Sequence, residues 1–200
     1  RRRWAWLAVC LAAFVLSLAS KPAAVVFPVT LLALDYFFQR TDRIRLILEK
    51  LPFLALSIAA GGLTLKAQQA SGAIAPAGAW NVFEKLLLAA YGSLMYVLKL
   101  FVPVGLSAIY PYPAKGAGIG PEFYGALAVM LAAFPALLFA CRRLRPVLFG
   151  WAFFFINILL VLQFFTVGQA VMAERYTYVP YIGLLLGLTW WLDERPRPGQ

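Results

Sequence analysis

Apolar residues run along this chain in long, nearly unbroken blocks, and polar residues gather in short clusters between them. Several blocks approach the roughly 20 residues that a helix needs to cross a bilayer. Five qualify as spans, at about 4–20, 23–38, 51–67, 123–140 and 147–166. A shorter block, about 179–192, ends in Trp190-Trp191, a typical interfacial anchor. The block 82–103 contains Glu84, Lys85, Gly92, Ser93, Tyr96 and Lys99, so it reads as amphipathic more than lipid-facing. The expected fold is all-α: a polytopic helical membrane protein of about six spans plus one outer-face helix. Residues 1–192 form a single helical transmembrane domain, and 193–200, rich in charge and proline, form a cytoplasmic linker. No internal repeat of fixed period is visible.

Positive charge sets the orientation. If Arg1 starts in the cytoplasm and 82–103 does not cross, 12 basic residues lie inside and six outside. If 82–103 crosses, the division becomes 10 against 8, and Arg142-Arg143-Leu144-Arg145 is stranded outside. The positive-inside bias favours the first arrangement, so 82–103 is expected to be an interfacial or re-entrant helix on the outer face. Residues 1–3, 39–50, 141–146 and 193–200 are then cytoplasmic.

Three segments face outward: the Ser20-Lys21-Pro22 turn, the long region 68–122, and 167–178. The long region carries Tyr110-Pro111-Tyr112-Pro113 and then glycines to Pro121, a density of Pro and Gly that predicts an irregular loop. Irregular backbone at a membrane surface often lines a cavity, because lipid cannot satisfy its amides. No Gly-Lys-Ser/Thr follows these glycines, so they make no P-loop.

Composition agrees with a membrane protein. Apolar residues make up 63% of the 200 and charged residues 13%, whereas a soluble domain carries about a quarter charged residues. Mean hydropathy is +0.81. The net charge of +10 is confined to clusters between apolar blocks and forms no basic stripe, which argues against nucleic-acid binding. Cys10 and Cys141 build no disulfide framework and no CxxC pair. There is no histidine, which removes HExxH, Ser-His-Asp and imidazole-rich metal sites. No metal or cofactor is expected. The start at Arg1-Arg2-Arg3, directly before Trp4 and an apolar block, reads as a cytoplasmic helix flank inside a longer protein.

The segment Met172-Ala173-Glu174-Arg175-Tyr176-Thr177-Tyr178-Val179-Pro180 places an adjacent acid and base among aromatics, between two apolar blocks. Charge in such a setting needs solvent, a partner or a task. One reading is an interfacial anchor, with Arg175 reaching headgroups, Glu174 paired to it and the tyrosines in an aromatic belt. The other is a binding site, because Arg is a permanent bidentate clamp for phosphate and tyrosines suit sugar or polyprenyl-phosphate headgroups. Lys21 either marks a helix end or adds a second phosphate contact from the same outer face. Asp35 is expected to pair with a basic neighbour, and Asn157 and Gln163 to hydrogen-bond between helices. Glu84, Glu122 and Glu174 are the outer acids, and nothing pairs any of them with a nucleophile.

Five phrases fall in order along the chain: Leu18-Ala19-Ser20-Lys21-Pro22-Ala23-Ala24-Val25, Leu31-Leu32-Ala33-Leu34-Asp35-Tyr36, Glu49-Lys50-Leu51-Pro52-Phe53, Ala108-Ile109-Tyr110-Pro111-Tyr112-Pro113, and Val167 through Pro180. Together they resemble the membrane portion of bacterial tetratricopeptide-repeat membrane proteins. These are similar to the transmembrane and tetratricopeptide-repeat O-mannosyltransferases within the GT-C class of glycosyltransferases. The family carries Asp or Glu at the place of Glu174, followed by Arg-Tyr.

The resemblance implies a multi-span enzyme of the bacterial inner (plasma) membrane. It would take a sugar from a polyprenyl-phosphate carrier on the extracytoplasmic face and transfer it to a hydroxyl of an acceptor protein. Arg175 and Lys21 would contact the carrier phosphate, Glu174 would orient Arg175 or a sugar hydroxyl, and Tyr176 and Tyr178 would line the pocket. The catalytic acid of such enzymes would lie before Arg1 and the repeats after Gln200, so these residues alone are expected to be inactive. The alternative is a non-enzymatic anchor or scaffold for tetratricopeptide repeats, or a lipid-carrier transporter.

Overall fold

The computed structural model describes residues 2–72, 80–113, 118–162 and 170–193, without the side chains of Arg2, Arg3 and Arg43. Gln163, Lys115 and residues 194–200 of the expected linker 193–200 lie outside the described residues, and Asp193 is the last residue of a helix. Seven α-helices and one two-stranded ribbon make up the regular structure among those residues, so the fold is all-α. Two helical segments, Ile44–Ala70 and Pro121–Cys141, are long and apolar enough to cross a membrane. The chain divides into two compact units, Arg1–Gly72 and Ala73–Gln200.

In the first unit, α1 (Arg2–Ser20) is followed by a 3₁₀ turn (Pro22–Val26), α2 (Phe27–Phe37) and α3 (Arg43–Ala70). Pro22 stops α1 from continuing, because its ring fixes φ and removes the amide donor. Lys21 sits in extended backbone before it. The end of α2 is a Schellman turn: Gln39 N–H donates to Tyr36 O at 3.2 Å and Arg40 N–H to Asp35 O at 3.1 Å. Gln39 occupies the left-handed position of that turn (φ 54°), where glycine is usual. Phe14, Phe27 and Phe53 form the apolar centre of the unit, with ring centroids 5.3–5.9 Å apart.

Helix α3 begins eight residues before the expected span at 51. Asp42 caps it by accepting from Arg45 N–H at 3.4 Å, so Arg43, Arg45, Glu49 and Lys50 lie on helix rather than loop. The charges of Arg45, Glu49 and Lys50 are satisfied locally. Arg40 bonds Asp35 Oδ1 at 2.9 Å and Glu49 Oε2 at 2.8 Å, and the nearly buried Lys50 pairs with Asp35 Oδ2. This network ties the end of α2 to α3. Pro52, inside α3, has no amide hydrogen to donate to the helix ladder.

The second unit contains α4 (Val82–Phe101), β1 (Tyr110–Pro111), α5 (Pro121–Cys141), α6 (Arg145–Ile158), β2 (Ala170–Met172) and α7 (Tyr178–Asp193). Asn81 and Glu84 close a capping box at the start of α4, with bonds of 2.8 and 2.7 Å. One face of α4 is buried through Leu87, Leu88, Ser93, Tyr96 and Lys99, making it a structural centre of its unit. Helices α6 and α7 approach closely at Gly150 and Gly183, where a Cβ on Gly150 would run into the Gly183 carbonyl oxygen. Small residues permit such backbone approach between apolar helices. Asn157 donates to Phe153 O at 2.8 Å within its own helix, a bond inside α6 and not the interhelical one expected.

Candidate functional site

The site grows from β1 and β2. Tyr110 pairs with Met172 and Pro111 with Ala170 in antiparallel register, which brings the Tyr-Pro-Tyr-Pro loop against the segment that precedes Glu174. Two prolines and a two-residue ladder hide this ribbon from any period-2 signal. Directly after β2, Glu174–Tyr176 forms one 3₁₀ turn, fastened by Thr177 Oγ1–H donating to Glu174 O at 2.7 Å.

Glu174 is fixed by groups distant in sequence. Tyr110 Oη–H donates to its Oε1 at 2.7 Å, and Lys99 Nζ stands 3.8 Å from the same oxygen. The Lys99 ammonium also donates to Val104 O at 2.9 Å and Gly105 O at 3.1 Å, and lies 5.0 Å from the Tyr110 ring centroid. One buried cation thus gathers the end of α4, the following loop, Tyr110 and Glu174. Tyr110 Oη in turn accepts from Ser107 N–H at 2.8 Å.

Arg175 points the other way. Its side chain is exposed, the guanidinium lies 5.3 Å from the Tyr176 ring centroid, and Nη2 donates to Tyr176 Oη at 3.4 Å. The bond to Tyr176 raises the Arg175 pKa above its ordinary value, and a guanidinium is in any case permanently charged. Tyr176 is half-buried, and Tyr178, at the start of α7, is exposed. The expected pairing of Glu174 with Arg175 is replaced by two separate arrangements: an acid used as a latch, and a base presented outward on an aromatic ring.

A cleft of about 440 Å³ opens on the ribbon, lined by Tyr91, Tyr110, Tyr112, Glu122, Phe123 and Val171. Tyr112 stacks on Trp80 at 5.8 Å, and Tyr91 meets Phe123 at 4.4 Å. Burial pushes the Tyr112 hydroxyl up to about 12, and the nearby Tyr176 hydroxyl adds to the rise. Tyr176, the ring on which Arg175 lies, is thus within electrostatic range of Tyr112 on the cleft. Glu122, in the first turn of α5, folds its carboxylate back over Gly120, into space a Cβ there would fill.

Lys21 belongs to the first unit, where it is exposed and its carbonyl accepts from Ala24 N–H at 3.1 Å. Among the described residues no three His, Cys, Asp or Glu side chains gather as a metal site. Sequence reasoning passed over Lys99 and Tyr110 as partners of Glu174. Their separations from it, 75 and 64 residues, leave no local signal, although a lysine on an otherwise buried helix face is itself a request for a partner. No protein family, curated protein or solved structure matches this chain.

Proposed function

We propose that the chain is the carrier-binding part of a polytopic, GT-C-like glycosyltransferase of the bacterial inner membrane, working on the extracytoplasmic face. Six spans would place the Tyr-Pro-Tyr-Pro loop and Glu174-Arg175-Tyr176 on that face, with α4 lying along it. The apolar composition supports a bilayer setting, as do the exposed apolar side chains along α5, among them Val129, Leu131, Phe134 and Phe139.

The observation that carries the reading is the outward presentation of Arg175 on Tyr176, beside a cleft of tyrosines, while Glu174 is held elsewhere. A permanent cation on a rigid aromatic support suits a phosphate. In transfer, the acceptor hydroxyl oxygen bonds to the anomeric carbon as the bond to the carrier phosphate breaks. The phosphate leaves with the electron pair, and the acceptor proton passes to a general base. A fixed guanidinium stabilises the charge that develops on the leaving phosphate. The cleft rings would carry the sugar.

The full-length protein in proteoliposomes, given a polyprenyl-phosphate-linked sugar and an acceptor protein, tests this. Arg175→Ala is expected to lower transfer by roughly 10²–10³-fold, as removal of one transition-state donor does, with insertion unchanged. Undiminished transfer overturns the proposal. A reporter fused after Pro113 should be active outside the cytoplasm; cytoplasmic activity would mean that α4 crosses.

A further inference from the structure

A second cavity, of about 730 Å³, lies within the first unit. Its apolar wall includes Trp4 and Leu7 on α1 and Leu48 on α3, and its rim carries Arg40, Asp42, Arg45 and Glu49. The volume falls within the roughly 300–1,000 Å³ of small-molecule sites. Apolar wall and charged rim together describe an amphiphile, not a free ion.

The sign of the head group follows from what the rim charges already do. Glu49 accepts from Arg40 Nη2, Asp35 is paired with both Arg40 and Lys50, and Asp42 caps α3 while pairing with Arg45 Nε at 3.4 Å. The acids are therefore engaged. A guanidinium carries five N–H donors, so Arg40 and the exposed Arg45 retain donors for another oxygen acceptor. Trp4 in the first turn of α1 and Ile44 and Arg45 in the first turn of α3 line this cavity.

We propose that this cavity is a binding site for one anionic phospholipid, its phosphate on Arg40 and Arg45 and an acyl chain along Trp4, Leu7 and Leu48. The site needs only the first unit and is independent of sugar transfer.

Cys10 also lines the cavity, which provides a reporter. In the full chain carrying Cys141→Ala, in neutral detergent, phosphatidylglycerol should slow maleimide alkylation of Cys10 saturably, and native mass spectrometry should retain one phosphatidylglycerol per chain. Loss of a charge-assisted phosphate bond predicts about tenfold weaker protection for Arg45→Gln, with Arg45→Lys between the two. Leu48→Trp, which fills the acyl wall and leaves the rim intact, should abolish retention. Equal protection by phosphatidylcholine would mean unselective lipid, and protection by glycerol phosphate alone would mean a free-anion site. Either result overturns the proposal, as does Cys10 reactivity unchanged by phosphatidylglycerol.

Discussion

Tyr96 and Ala173 bind each other through both backbone groups of the alanine. Ala173 N–H donates to Tyr96 Oη at 2.9 Å, and Tyr96 Oη–H reaches Ala173 O at 3.3 Å. Both residues are completely buried, and Tyr96 itself is anchored by Tyr181 Oη–H donating to its carbonyl at 2.7 Å. A phenol on α4 thus does for the residue before Glu174 what a neighbouring strand would do. It fixes where the 3₁₀ turn of Glu174 and Arg175 begins.

Tyr96→Phe keeps the ring and deletes only the hydroxyl, leaving the buried Ala173 N–H without its partner, while Ala173 O still accepts from Tyr176 N–H at 3.1 Å. The expected cost is about 1–3 kcal/mol, the desolvation penalty of an orphaned buried group. Thermal unfolding in detergent should show it, and Ala173 should lose hydrogen-exchange protection while the α6–α7 contact keeps its own. Unchanged protection at Ala173 would mean that water replaces the phenol.

Lys99 and Glu174 should not be equivalent in mutation. Lys99→Met removes the donor from two carbonyls and the ion pair with Glu174, and hydrogen bonds to charged groups contribute about 1.5–3 kcal/mol each. The loop after α4 should become cleavable near Gly105 in limited proteolysis. Glu174→Gln keeps an oxygen for Tyr110 and loses only the longer contact to Lys99, so it should be milder than Glu174→Ala. A ranking with Gln as damaging as Ala would make the charge, not the hydrogen bond, the latch.

Helix α5 is legible in sequence because residues 123–140 run without a charge inside Pro121–Cys141, and the block at 179–192 is legible for the same reason. The start of α3 is harder. Charge at Arg43, Arg45, Glu49 and Lys50 resembles a loop until Asp42 is recognised as the cap and the pairs to Asp35 and Arg40 are seen. The residues of the site were readable as chemistry, since Arg175 and its tyrosines stand out against hydrocarbon. Their arrangement was not, because Lys99, Tyr96 and Tyr110 reach this turn across 64 to 77 residues. The Gly183-x₃-Gly187 spacing was present to be read as a helix-packing face.

That packing face makes a graded prediction. A Cβ at Gly183 would sit 2.6 Å from Gly150 O and 2.9 Å from Phe153 Cβ, whereas one at Gly187 meets nothing nearer than 3.4 Å. Gly183→Ala should cost about 1–3 kcal/mol by overpacking, and Gly187→Ala clearly less. Gly61 and Gly62 on α3 have nothing within 4 Å of such a carbon, so alanine there should be neutral or stabilising by up to about 1 kcal/mol. Equal effects at Gly183 and Gly61 would remove the α6–α7 contact as the cause.

Tyr112 gives the cleft a pH signature. Burial first, and the Tyr176 hydroxyl second, raise its pKa from 10.0 to about 12. Between those values the unfolded chain has released the phenolic proton and the folded chain still holds it. The folded state then binds more protons, so stability falls as pH rises through this window. Below pH 10 the contribution is fully present, and it is spent once pH passes the folded value. Phenolate absorbance of the folded protein should therefore show a component titrating near 12 that Tyr112→Phe removes. Tyr176→Phe should shift that component downward, because it deletes the second cause and leaves the first. If Tyr176→Phe left the component in place, Tyr112 and Tyr176 would not be in electrostatic contact, and the cleft would lose its connection to Arg175.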